Sequence, residues 1–506
     1  MHNSQKIKSL SEYVDMLKRS GLVVNAGLYE KGNESVTSIT YDSRKACKGC
    51  LFVCKGAAFK KEFLVNAIND GCIGYVSETD YDIAGAPCVI VKDIRDAMPP
   101  IARMFYDIPE DFKIIGITGT KGKTTTAYYI KAIFDEAARM NAGHEAAFIT
   151  TVETYDGKER ISTGITTPES FELYRHFRNA CDSGIDHIIM EVSSQALKYK
   201  RTDGICFDTA IFLNISEDHV SPAEHSDFED YFTSKLKIFS QCRSSLICAD
   251  MDKLDRVLSE AKNAGDTVTF GMENSADIIA VNAREMGAQT AFTARYDGKD
   301  YEFLLNMDGL YNIENALAAI GVAFKYGIPY EAMYEALKRI TVPGRGEEYS
   351  SRDGRINVMV DYAHNGISFR NRIGAARRRW KDRKIITVFG CTGGKALNRR
   401  EGMGLAAGEL SDYIYLTADD PANESVSDIC AQVGTYIDKT GCRYEVIEDR
   451  EEAVKAAILS CDEPSVVLLL GKGSERSQKV AHGSQPYKSD AVVAREALNI
   501  YDNSNM

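Results

Sequence analysis

The fold is decided by one stretch of sequence, KIIGITGTKGKTT, which occupies residues 113–125. It begins with the apolar run 113–118 and continues into a loop of glycine, threonine and lysine at 119–125. Beyond the loop, apolar residues recur at helical spacing from Ile130 to Ala137. The stretch therefore predicts a strand, a glycine-rich loop and a helix, which is the order that a phosphate-binding loop requires.

The loop itself has the residue types that bind a polyphosphate. Backbone N–H groups of residues 119–122 can wrap the phosphates, Lys123 can reach the terminal ones, and the Thr124 hydroxyl can hold Mg²⁺. The spacing departs from the standard eight-residue P-loop, since Ile117 stands where that pattern needs glycine. A chance glycine-rich turn is the alternative, but the flanking strand and helix favour a phosphate-binding loop.

Strands alternate with helices along the rest of the chain. Apolar runs predict strands at 51–53, 73–76, 88–91, 185–190, 209–213, 245–249, 357–360, 385–389, 413–416 and 466–470, with helices at 94–106 and 313–326. Polar joints at 107–111 and 341–345 suggest three domains, 1–108, 109–342 and 343–506. This pattern predicts an α/β protein in which each domain has a largely parallel sheet.

The four C-terminal strands each end in a polar or glycine-rich loop. These loops begin at Asp361, Gly390, Thr417 and Gly471. Ligands of open parallel sheets bind beyond the carboxyl ends of the strands, so we expect the four loops to converge on a binding site.

Several polar residues of the central region are candidates for a metal site. Mg²⁺ needs hard oxygen ligands, and Glu191 follows a strand at the place where a second carboxylate beside a P-loop lies. A solvated strand-end glutamate is the alternative. Asp218 and His219 also follow a strand, which favours a ligand role over a structural pair. Lys235 lies in the amphipathic stretch 228–239, and its spacing alone predicts an ordinary surface lysine.

The loop 166–169, with sequence TTPE, precedes a predicted helix. Glu169 complements the helix dipole, and the amides and hydroxyls of the loop could bind an anion. A plain helix cap is the alternative that the sequence alone favours.

Composition excludes several classes of protein. A chain of 506 residues suggests about three domains, and 61 basic against 73 acidic residues give a net charge of −12, which argues against a nucleic-acid-binding surface. No signal peptide or membrane-spanning segment is expected. The 13 cysteines are predicted to be reduced thiols in a cytoplasm, and the cluster of Cys47, Cys50 and Cys54 is predicted to be buried thiols rather than a metal site.

Together these motifs resemble the Mur ligases, specifically the MurE type, which are ATP-dependent enzymes that add the third residue of the peptidoglycan stem peptide. The resemblance covers nearly the whole chain, and the motifs occur in the family's order. They are DSR 42–44, the loop 119–125, TTPE 166–169, EVSS 191–194, Asn214 with Asp218 and His219, Tyr231 with Lys235, Gly309 with Asn312 and Asn315, PGR 343–345, DYAH 361–364, and GKG 471–473 with Glu475.

The resemblance implies a role for each matching residue. ATP would bind to Gly119, Thr120, Lys121, Gly122, Lys123, Thr124, Thr125, Asn312 and Asn315. The substrate UDP-MurNAc-L-Ala-D-Glu would bind to Ser43, Thr166, Thr167, Ser193 and Arg201. Mg²⁺ would be served by Thr124, Glu191, His219 and Lys235, the last as a carbamate (N6-carboxylysine). The catalytic residues would be Lys123, Lys235, His219 and Arg345.

The incoming amino acid would bind to Arg400, Asp419, Asp420, Gly471 and Glu475. Members that take meso-diaminopimelate typically carry Asp-Asn-Pro-Arg, whereas this chain reads DDPA at 419–422. The extra acid, Asp420, would suit an ammonium side chain. The sequences of residues 192–195 and 224–231 resemble those of lysine-adding streptococcal-type members. We therefore predict L-lysine. The alternatives are meso-diaminopimelate, which Glu475 and Arg400 could still serve, and more remotely a folylpolyglutamate synthase-like ligase.

The resemblance implies a three-domain enzyme: a UDP-substrate domain, a central P-loop ATPase-like domain, and a Rossmann-like C-terminal domain for the amino acid. It implies an acyl-phosphate intermediate, formed from the D-Glu carboxylate and ATP. Such an enzyme would act as a cytoplasmic monomer in peptidoglycan precursor synthesis, and so serve cell wall biogenesis, cell shape and cell division. No nucleic acid and no membrane insertion are expected.

Overall fold

The computed structural model describes residues 7–25, 33–56, 58–83, 86–217, 224–262 and 264–504. Asp218 and His219, both predicted to lie near the metal, fall outside the described residues. The first part of the chain contains β1 (Lys8–Ser9), α1 (Leu10–Arg19), β2 (Val23–Asn25), β3 (Ser35–Val36), β4 (Ser38–Thr40), a 3₁₀ helix (Ser43–Lys45), β5 (Cys50–Val53), α2 (Lys61–Asn69), β6 (Gly74–Ser77), β7 (Cys88–Val91) and α3 (Ile94–Tyr106).

The central part is the longest. It contains β8 (Lys113–Thr118), α4 (Lys123–Arg139), β9 (Ala147–Ile149), β10 (Glu153–Tyr155), β11 (Arg160–Ser162), α5 (Ser170–Asp182), β12 (His187–Glu191), α6 (Ser194–Lys198), β13 (Thr209–Phe212), α7 (Phe228–Leu236), a 3₁₀ helix (Lys237–Gln241), β14 (Ser244–Cys248), α8 (Leu254–Ala261), β15 (Asp266–Gly271), β16 (Ile278–Met286), β17 (Gln289–Tyr296), β18 (Lys299–Leu305), α9 (Tyr311–Lys325) and α10 (Tyr330–Arg339).

The last part contains β19 (Arg345–Ser350), β20 (Ile356–Asp361), α11 (Gly366–Arg379), β21 (Lys384–Phe389), α12 (Asn398–Leu410), β22 (Tyr413–Leu416), α13 (Val426–Ile437), a 3₁₀ helix (Asp438–Thr440), β23 (Tyr444–Val446), α14 (Arg450–Leu459), β24 (Ser465–Leu470), β25 (Ser477–Val480), β26 (Gly483–Pro486) and α15 (Asp490–Ser504). The predicted helix at 94–106 is confirmed as α3, and the predicted strands are confirmed to within two residues.

The described residues form three main β-sheets. The first has the order β2-β7-β6-β5-β4, the central one β11-β10-β9-β12-β8-β13-β14-β15-β16-β17-β18, and the last β19-β20-β24-β21-β22-β23. Parallel pairing dominates the middle of each sheet, which confirms the predicted α/β class.

The central sheet is antiparallel at both margins, a feature the sequence interpretation missed. Strands β16, β17 and β18 form two hairpins, and β9, β10 and β11 form two further antiparallel pairs. The turn between β17 and β18 is Asp297-Gly298, and both residues have positive φ. An Asp-Gly pair between alternating strands is a hairpin signal, so this margin could have been read from the sequence.

The cysteine cluster differs from its prediction. Cys47 is exposed, so the prediction that it is a buried thiol is wrong, while Cys50 and Cys54 are buried. Cys50 is the first residue of β5, and Cys54 directly follows the last. Cys72, which precedes β6, is buried in the same hydrophobic cluster as Cys50 and Cys54.

The P-loop strand β8 lies between β12 and β13 near the centre of the sheet. Its side chains are buried from Ile114 to Thr118, and Phe207 packs against the strand at Gly116. A Cβ atom at Gly116 would lie 2.6 Å from the Phe207 ring, so this glycine permits the close contact. The start of the P-loop is thereby fixed by packing.

We predict that Gly116→Ala lowers the free energy of unfolding by about 1–3 kcal/mol, because the buried ring cannot move aside without strain. Phe207→Leu in the same chain should recover part of this loss. Urea denaturation followed by circular dichroism measures both. Gly164→Ala is the matched control, since a Cβ there meets nothing within 4 Å. Equal effects at the two glycines would contradict the packing argument.

Candidate functional site

The loop after β8 has the backbone shape of a phosphate-binding loop. Gly119 and Gly122 have φ of +152° and +87°, a region that L side chains rarely adopt. A Cβ at Gly122 would lie 2.2 Å from the Asn315 Oδ1 atom, so glycine is required there by space as well. The loop ends at the first turn of α4, where free N–H groups and the helix dipole favour an anion.

Asn214, two residues beyond the end of β13, holds this loop through hydrogen bonds. Its side-chain Oδ1 accepts from the Lys121 N–H at 2.9 Å and its Nδ2 donates to the Lys121 carbonyl at 3.2 Å. Its own carbonyl accepts from the Thr120 N–H at 3.1 Å. The sequence singled out Asn214 only as part of a motif, and nothing in its spacing indicated this clamp.

Two lysine side chains reach the same backbone oxygen of the loop. Lys123 Nζ donates to the Gly119 carbonyl at 2.8 Å, and Lys235 Nζ donates to that carbonyl at 2.9 Å. Lys235 is only 2% exposed and lies 4.7 Å from the centre of the Tyr231 ring. The reading of Lys235 as a surface lysine is therefore wrong. Tyr231 and Lys235 are four residues apart on α7, so both face the P-loop.

Glu191 at the end of β12 lies beside Thr124 of the loop. The carboxylate is 1% exposed and accepts from the Thr124 hydroxyl at 2.8 Å and from the Thr151 N–H at 2.9 Å. A buried carboxylate and a hydroxyl are the hard oxygen donors that suit Mg²⁺. The described residues therefore fit that ion, with Thr124 and Glu191 as its predicted ligands.

The predicted dipeptide site is assembled next to Glu191. The Thr167 hydroxyl donates to the Glu191 carbonyl at 2.9 Å and accepts from the Ser193 N–H at 3.0 Å, while Arg201 donates to the Thr167 carbonyl at 3.1 Å. Thr166 contacts Thr151 through their hydroxyls at 3.0 Å. Four predicted substrate residues are thus neighbours; they are Thr166, Thr167, Ser193 and Arg201.

Glu169 links this site to the first sheet. It is the N-cap residue of α5, and its carboxylate pairs with Arg201 at 2.8 Å and with Lys55 at 2.8 Å. Ser43, the remaining substrate residue, lies on the 3₁₀ helix Ser43–Lys45 of the first part of the chain. Its predicted contact with the uridine nucleotide stays a prediction.

Helix α9 lies beside the P-loop and carries the two residues that are predicted to lie near the adenine base of ATP. Asn315 donates to Asn312 at 3.3 Å, and Asn312 donates to the Asp308 carbonyl at 2.7 Å. Glu314 lines the same cavity, and burial, with a contribution from Asp250, raises its pKa to about 7. Both predicted adenine-side residues are thus placed beside the P-loop, whereas no sequence signal pointed to Glu314.

The last sheet covers the loop from the opposite side. The Lys121 ammonium lies 3.1 Å from His364 Nε2, and Arg345 lies over the Tyr362 ring at 4.2 Å. Together the two parts enclose a cavity of about 450 Å³. Arg345, which is predicted to be catalytic, lines this cavity.

Arg372 of α11 also lines the cavity and was not predicted. It is 2% exposed, and its guanidinium pairs with Asp308 of the central part at 2.5 Å and with Asp361 at 3.1 Å. A buried cation shared by two carboxylates ties the two parts of the chain together beside the site.

The predicted amino-acid residues fall into two groups. The acids Asp420 and Glu475 both pair with the buried Lys472 ammonium, at 2.8 and 2.6 Å. Asp419 and Gly471 adjoin them, and burial raises the pKa of Asp419 to about 6 although Lys472 and Arg450 oppose that shift. An ammonium of the chain itself, that of Lys472, lies against Asp420, and the predicted contact of Asp420 with the incoming amino acid stays a prediction.

Arg400 forms the second group. It is 3% exposed, and its guanidinium donates to Gln432, to the Thr392 carbonyl at 3.1 Å and to Glu424 at 2.8 Å. These contacts hold the guanidinium within its own loop cluster, so the structure does not bring Arg400 into contact with Asp420 or Glu475.

A second cavity, of about 810 Å³, lies at the carboxyl ends of β5, β6 and β7. Its lining includes four cations and three acids: Lys55, Lys92, Arg95 and Lys200 with Glu78, Asp93 and Asp96. Ser43 is not among its lining residues. In the sequence, only positions near the ends of strands pointed to the basic residues of this cavity.

A glycine-rich loop on a parallel sheet, a buried carboxylate beside its threonine and a third sheet closing the cavity are features of the P-loop nucleotide-binding class of proteins. Comparison with known proteins finds two domains of one family in this chain. Residues 117–323 match the Mur ligase middle domain, and residues 344–473 match the Mur ligase glutamate ligase domain.

Curated relatives match almost end to end. A UDP-N-acetylmuramoyl-L-alanyl-D-glutamate–L-lysine ligase of Streptococcus pneumoniae is 37% identical over 96% of this chain and 98% of its own. A UDP-N-acetylmuramyl-tripeptide synthetase of Lactobacillus delbrueckii is 34% identical over 97% of this chain and 98% of its own. The chain belongs to the Mur ligase family, and it is a ligase.

Solved structures share the fold. A UDP-N-acetylmuramoyl-L-alanyl-D-glutamate–2,6-diaminopimelate ligase matches with a TM-score of 0.66 and 23% identity, over 98% of this chain and 99% of that one. A MurF ligase of Thermotoga maritima in complex with ADP matches with a TM-score of 0.64 and 16% identity, over 93% of this chain and 99% of that one. Among the described residues, no helix is long and apolar enough to cross a membrane.

We predict that Lys123→Ala lowers kcat by about 10²-fold or more, because the lysine offsets charge on the transferring phosphoryl group. Phosphate release from ATP in the presence of both other substrates measures the loss. Lys262→Ala, an exposed lysine of the same part of the chain, is the control and should leave activity unchanged. Peptide-bond formation at the wild-type rate in Lys123→Ala would show that the ATP site is elsewhere.

Proposed function

We propose that this ligase joins L-lysine to UDP-MurNAc-L-Ala-D-Glu, with ATP converted to ADP and phosphate. The observation that carries the proposal is the acidic group of Asp419, Asp420 and Glu475 at the ends of the last sheet, with Ala422 where a diaminopimelate enzyme has arginine. Relatives named as L-lysine ligases at 36–37% identity support the same choice.

The chemistry proceeds in two transfers. The side-chain carboxylate of D-Glu attacks the γ-phosphorus of ATP, a new O–P bond forms, and ADP leaves. The amine of the incoming amino acid then attacks the acyl carbon, a C–N bond forms, the C–O bond to phosphate breaks, and the amine loses a proton. Lys123 and the backbone N–H groups of 119–122 offset the charge that develops in the first step.

Substrate positioning follows from the contacts around Glu191. Thr167, Ser193 and Arg201 would hold the dipeptide end, and Arg201 is itself oriented by Glu169. Ser43 would contact the uridine nucleotide, and the four cations of the second cavity offer further sites for its phosphates. Closure by the loops around Arg345 and His364 would exclude water, which protects an acyl phosphate from hydrolysis.

Mg²⁺ would be held by Thr124 and Glu191, with His219 and a carbamate on Lys235 as further ligands. When bound, the ion polarises the phosphoryl oxygens and neutralises their charge. Lys235 can serve it only after conversion to N6-carboxylysine, because an ammonium donates hydrogen bonds and repels a cation. Its burial beside the P-loop supports that conversion, since a buried ammonium that shares an acceptor with the Lys123 ammonium is electrostatically costly.

The contacts of the Lys472 ammonium indicate how this acidic pocket would bind the ammonium group of a ligand. Its Nζ sits between Asp420 and Glu475, so these carboxylates already have the spacing that an ammonium requires. With Asp419 included, three acidic side chains lie around one lysine, and the net negative charge that remains would favour a second ammonium. A second carboxylate, as in meso-diaminopimelate, would meet repulsion there.

Further parts of the proposal concern organisation. We infer three domains, residues 1–108, 109–342 and 343–506, which bind the UDP substrate, ATP and the amino acid. We infer a monomer that works in the cytoplasm on peptidoglycan precursors, without nucleic acid.

We predict that Lys235→Ala reduces kcat by about 10²-fold or more, because the carbamate and its metal ligation are lost. Lys237→Ala is the matched control, since Lys237 follows two residues later and is exposed. Steady-state phosphate release measures both. An active Lys235→Ala enzyme would remove Lys235 from the metal site and leave the ligase assignment intact.

We predict turnover with L-lysine and not with meso-diaminopimelate, measured by product mass with UDP-MurNAc-L-Ala-D-Glu, ATP and Mg²⁺. Asp420→Asn and Glu475→Gln should each raise the KM for L-lysine about tenfold or more and leave the KM for ATP unchanged. Glu445→Gln, an exposed acid on β23, is the control. Turnover only with meso-diaminopimelate would overturn the specificity, and no turnover with any amino acid would overturn the ligase reaction proposed here.

A further inference from the structure

A buried guanidinium bridges the central and last parts of the chain. Arg372 of α11 is 2% exposed, and its Nη1 atom donates to the Asp308 carboxylate at 2.5 Å. Its Nη2 atom lies 3.1 Å from the carboxylate of Asp361, the last residue of β20. Asp308 lies just before α9 of the central part, whereas Arg372 and Asp361 belong to the last part. One planar cation therefore joins carboxylates of both parts, which the fork of donors on an arginine permits.

A bulge in β19 makes room for this guanidinium. The pairing of β19 with β20 shifts register between Arg345 and Glu347, and Gly346 between them has a φ of +67°. A Cβ atom at Gly346 would lie 3.1 Å from Nη2 of Arg372, so a side chain there would press on the guanidinium. Arg345 directly precedes this glycine and lies over the Tyr362 ring at 4.2 Å. The bulge that accommodates Arg372 is therefore also the one that places Arg345.

Contacts on the Asp361 side lead to the P-loop through the last part. The Asp361 carboxylate accepts from the Ala363 N–H at 2.8 Å, which shapes the loop after β20. His364 is the next residue of that loop, and its Nε2 atom lies 3.1 Å from the Lys121 ammonium. The pair of Arg372 with Asp361 thus supports the loop that contacts the P-loop from above.

Contacts on the Asp308 side lead to the same P-loop through the central part. The Asp308 carbonyl accepts from the Asn312 side chain at 2.7 Å, and the Asn312 side-chain oxygen accepts from Asn315 at 3.3 Å. The Asn315 oxygen lies against Gly122, where a Cβ atom would be only 2.2 Å from it. Arg372 therefore holds both walls of the nucleotide cavity, one through each carboxylate.

Burial distinguishes this bridge from a surface ion pair between the same two parts. Arg378, also on α11, pairs with Glu285 of β16 at 3.1 Å, but its side chain is 60% exposed. Water and salt screen such a pair, which contributes little. Around Arg372 the situation differs, because Asp308 is only 6% exposed. If one partner is removed while the two parts stay together, the other is left as an unpaired buried charge, which is costly. Such a variant should favour separation of the two parts.

We propose that Arg372 is a positioning residue of the ligase reaction, which holds the last part against the P-loop until the amine attacks the acyl phosphate. It acts through Asp308 and keeps Arg345 and His364 over the cavity. Without the bridge, water reaches the acyl phosphate, and hydrolysis returns the carboxylate and phosphate, so ATP is consumed without a peptide bond. The inference rests on the acyl-phosphate reaction of the proposed function.

The test measures how much phosphate is released for each tripeptide formed. Asp308→Asn keeps the pair of Arg372 with Asp361 inside the last part and weakens only the contact between the two parts. The ratio of phosphate to tripeptide, corrected for release without UDP-MurNAc-L-Ala-D-Glu, should be about one in the wild type and at least about twofold higher in Asp308→Asn. Arg372→Lys should also raise it, since an ammonium lacks the fork that reaches both carboxylates. Loss of folded protein lowers both rates and does not raise their ratio.

Arg370→Met is the matched control. Arg370 lies on the same helix, is exposed and pairs with Glu409 inside the last part, so its loss should change neither the ratio nor kcat. The double variant Asp308→Asn with Arg372→Lys should show the ratio of the more affected single variant, because both changes break one bridge. A ratio of one in both single variants would overturn the proposal, and so would effects that multiply in the double variant.

A measurement without turnover separates this inference from the proposed reaction. Small-angle X-ray scattering with Mg²⁺ and a nonhydrolysable ATP analogue should give a larger radius of gyration for Asp308→Asn than for the wild type and Arg370→Met. Equal radii would overturn the bridge, whatever the reaction is. A larger radius for Asp308→Asn together with a wild type that forms no tripeptide from any amino acid would support the bridge and overturn the proposed ligase reaction.

Discussion

The site depends on one shared acceptor, the Gly119 carbonyl, which receives hydrogen bonds from the ammonium groups of both Lys123 and Lys235. Lys235 is buried and Lys123 is partly buried, and two cations that converge on one oxygen repel each other at the reduced dielectric of a protein interior. The arrangement favours anions, which agrees with the proposal that the phosphates of ATP bind beside Lys123 and that Lys235 carries a carbamate. The surrounding structure can be understood as the scaffold that maintains this convergence.

Three features of the chain hold the scaffold. Gly116 lets the Phe207 ring pack against β8 and so fixes the strand from which the loop begins. Asn214 fastens the loop through three hydrogen bonds from the end of β13. Tyr231 brings α7 onto the loop, where its hydroxyl bonds to Thr120 at 3.1 Å. The last sheet then closes the cavity through Lys121 with His364 and through Arg372.

Much of this could be predicted from the sequence, because it is encoded locally. The P-loop, its strand and helix, and the strand-end loops of the last sheet follow from hydrophobic period and glycine placement, and Glu191 follows from its position after a strand. Other features depend on contacts between distant segments. The periodicity of α7 does not show that Lys235 faces a loop 116 residues earlier, and the DDPA segment does not show that Lys472 fills the space beside Asp420.

The central claim is that Lys235 carries a carbamate when the site is assembled for catalysis. The most direct measurement is ¹³C NMR of the active enzyme equilibrated with ¹³C-labelled bicarbonate and Mg²⁺. The account predicts one carbamate resonance per chain, assigned to Lys235 by its disappearance on substitution of that residue. A fully active enzyme without any carbamate resonance would contradict the account, because the two ammonium groups would then persist side by side through turnover.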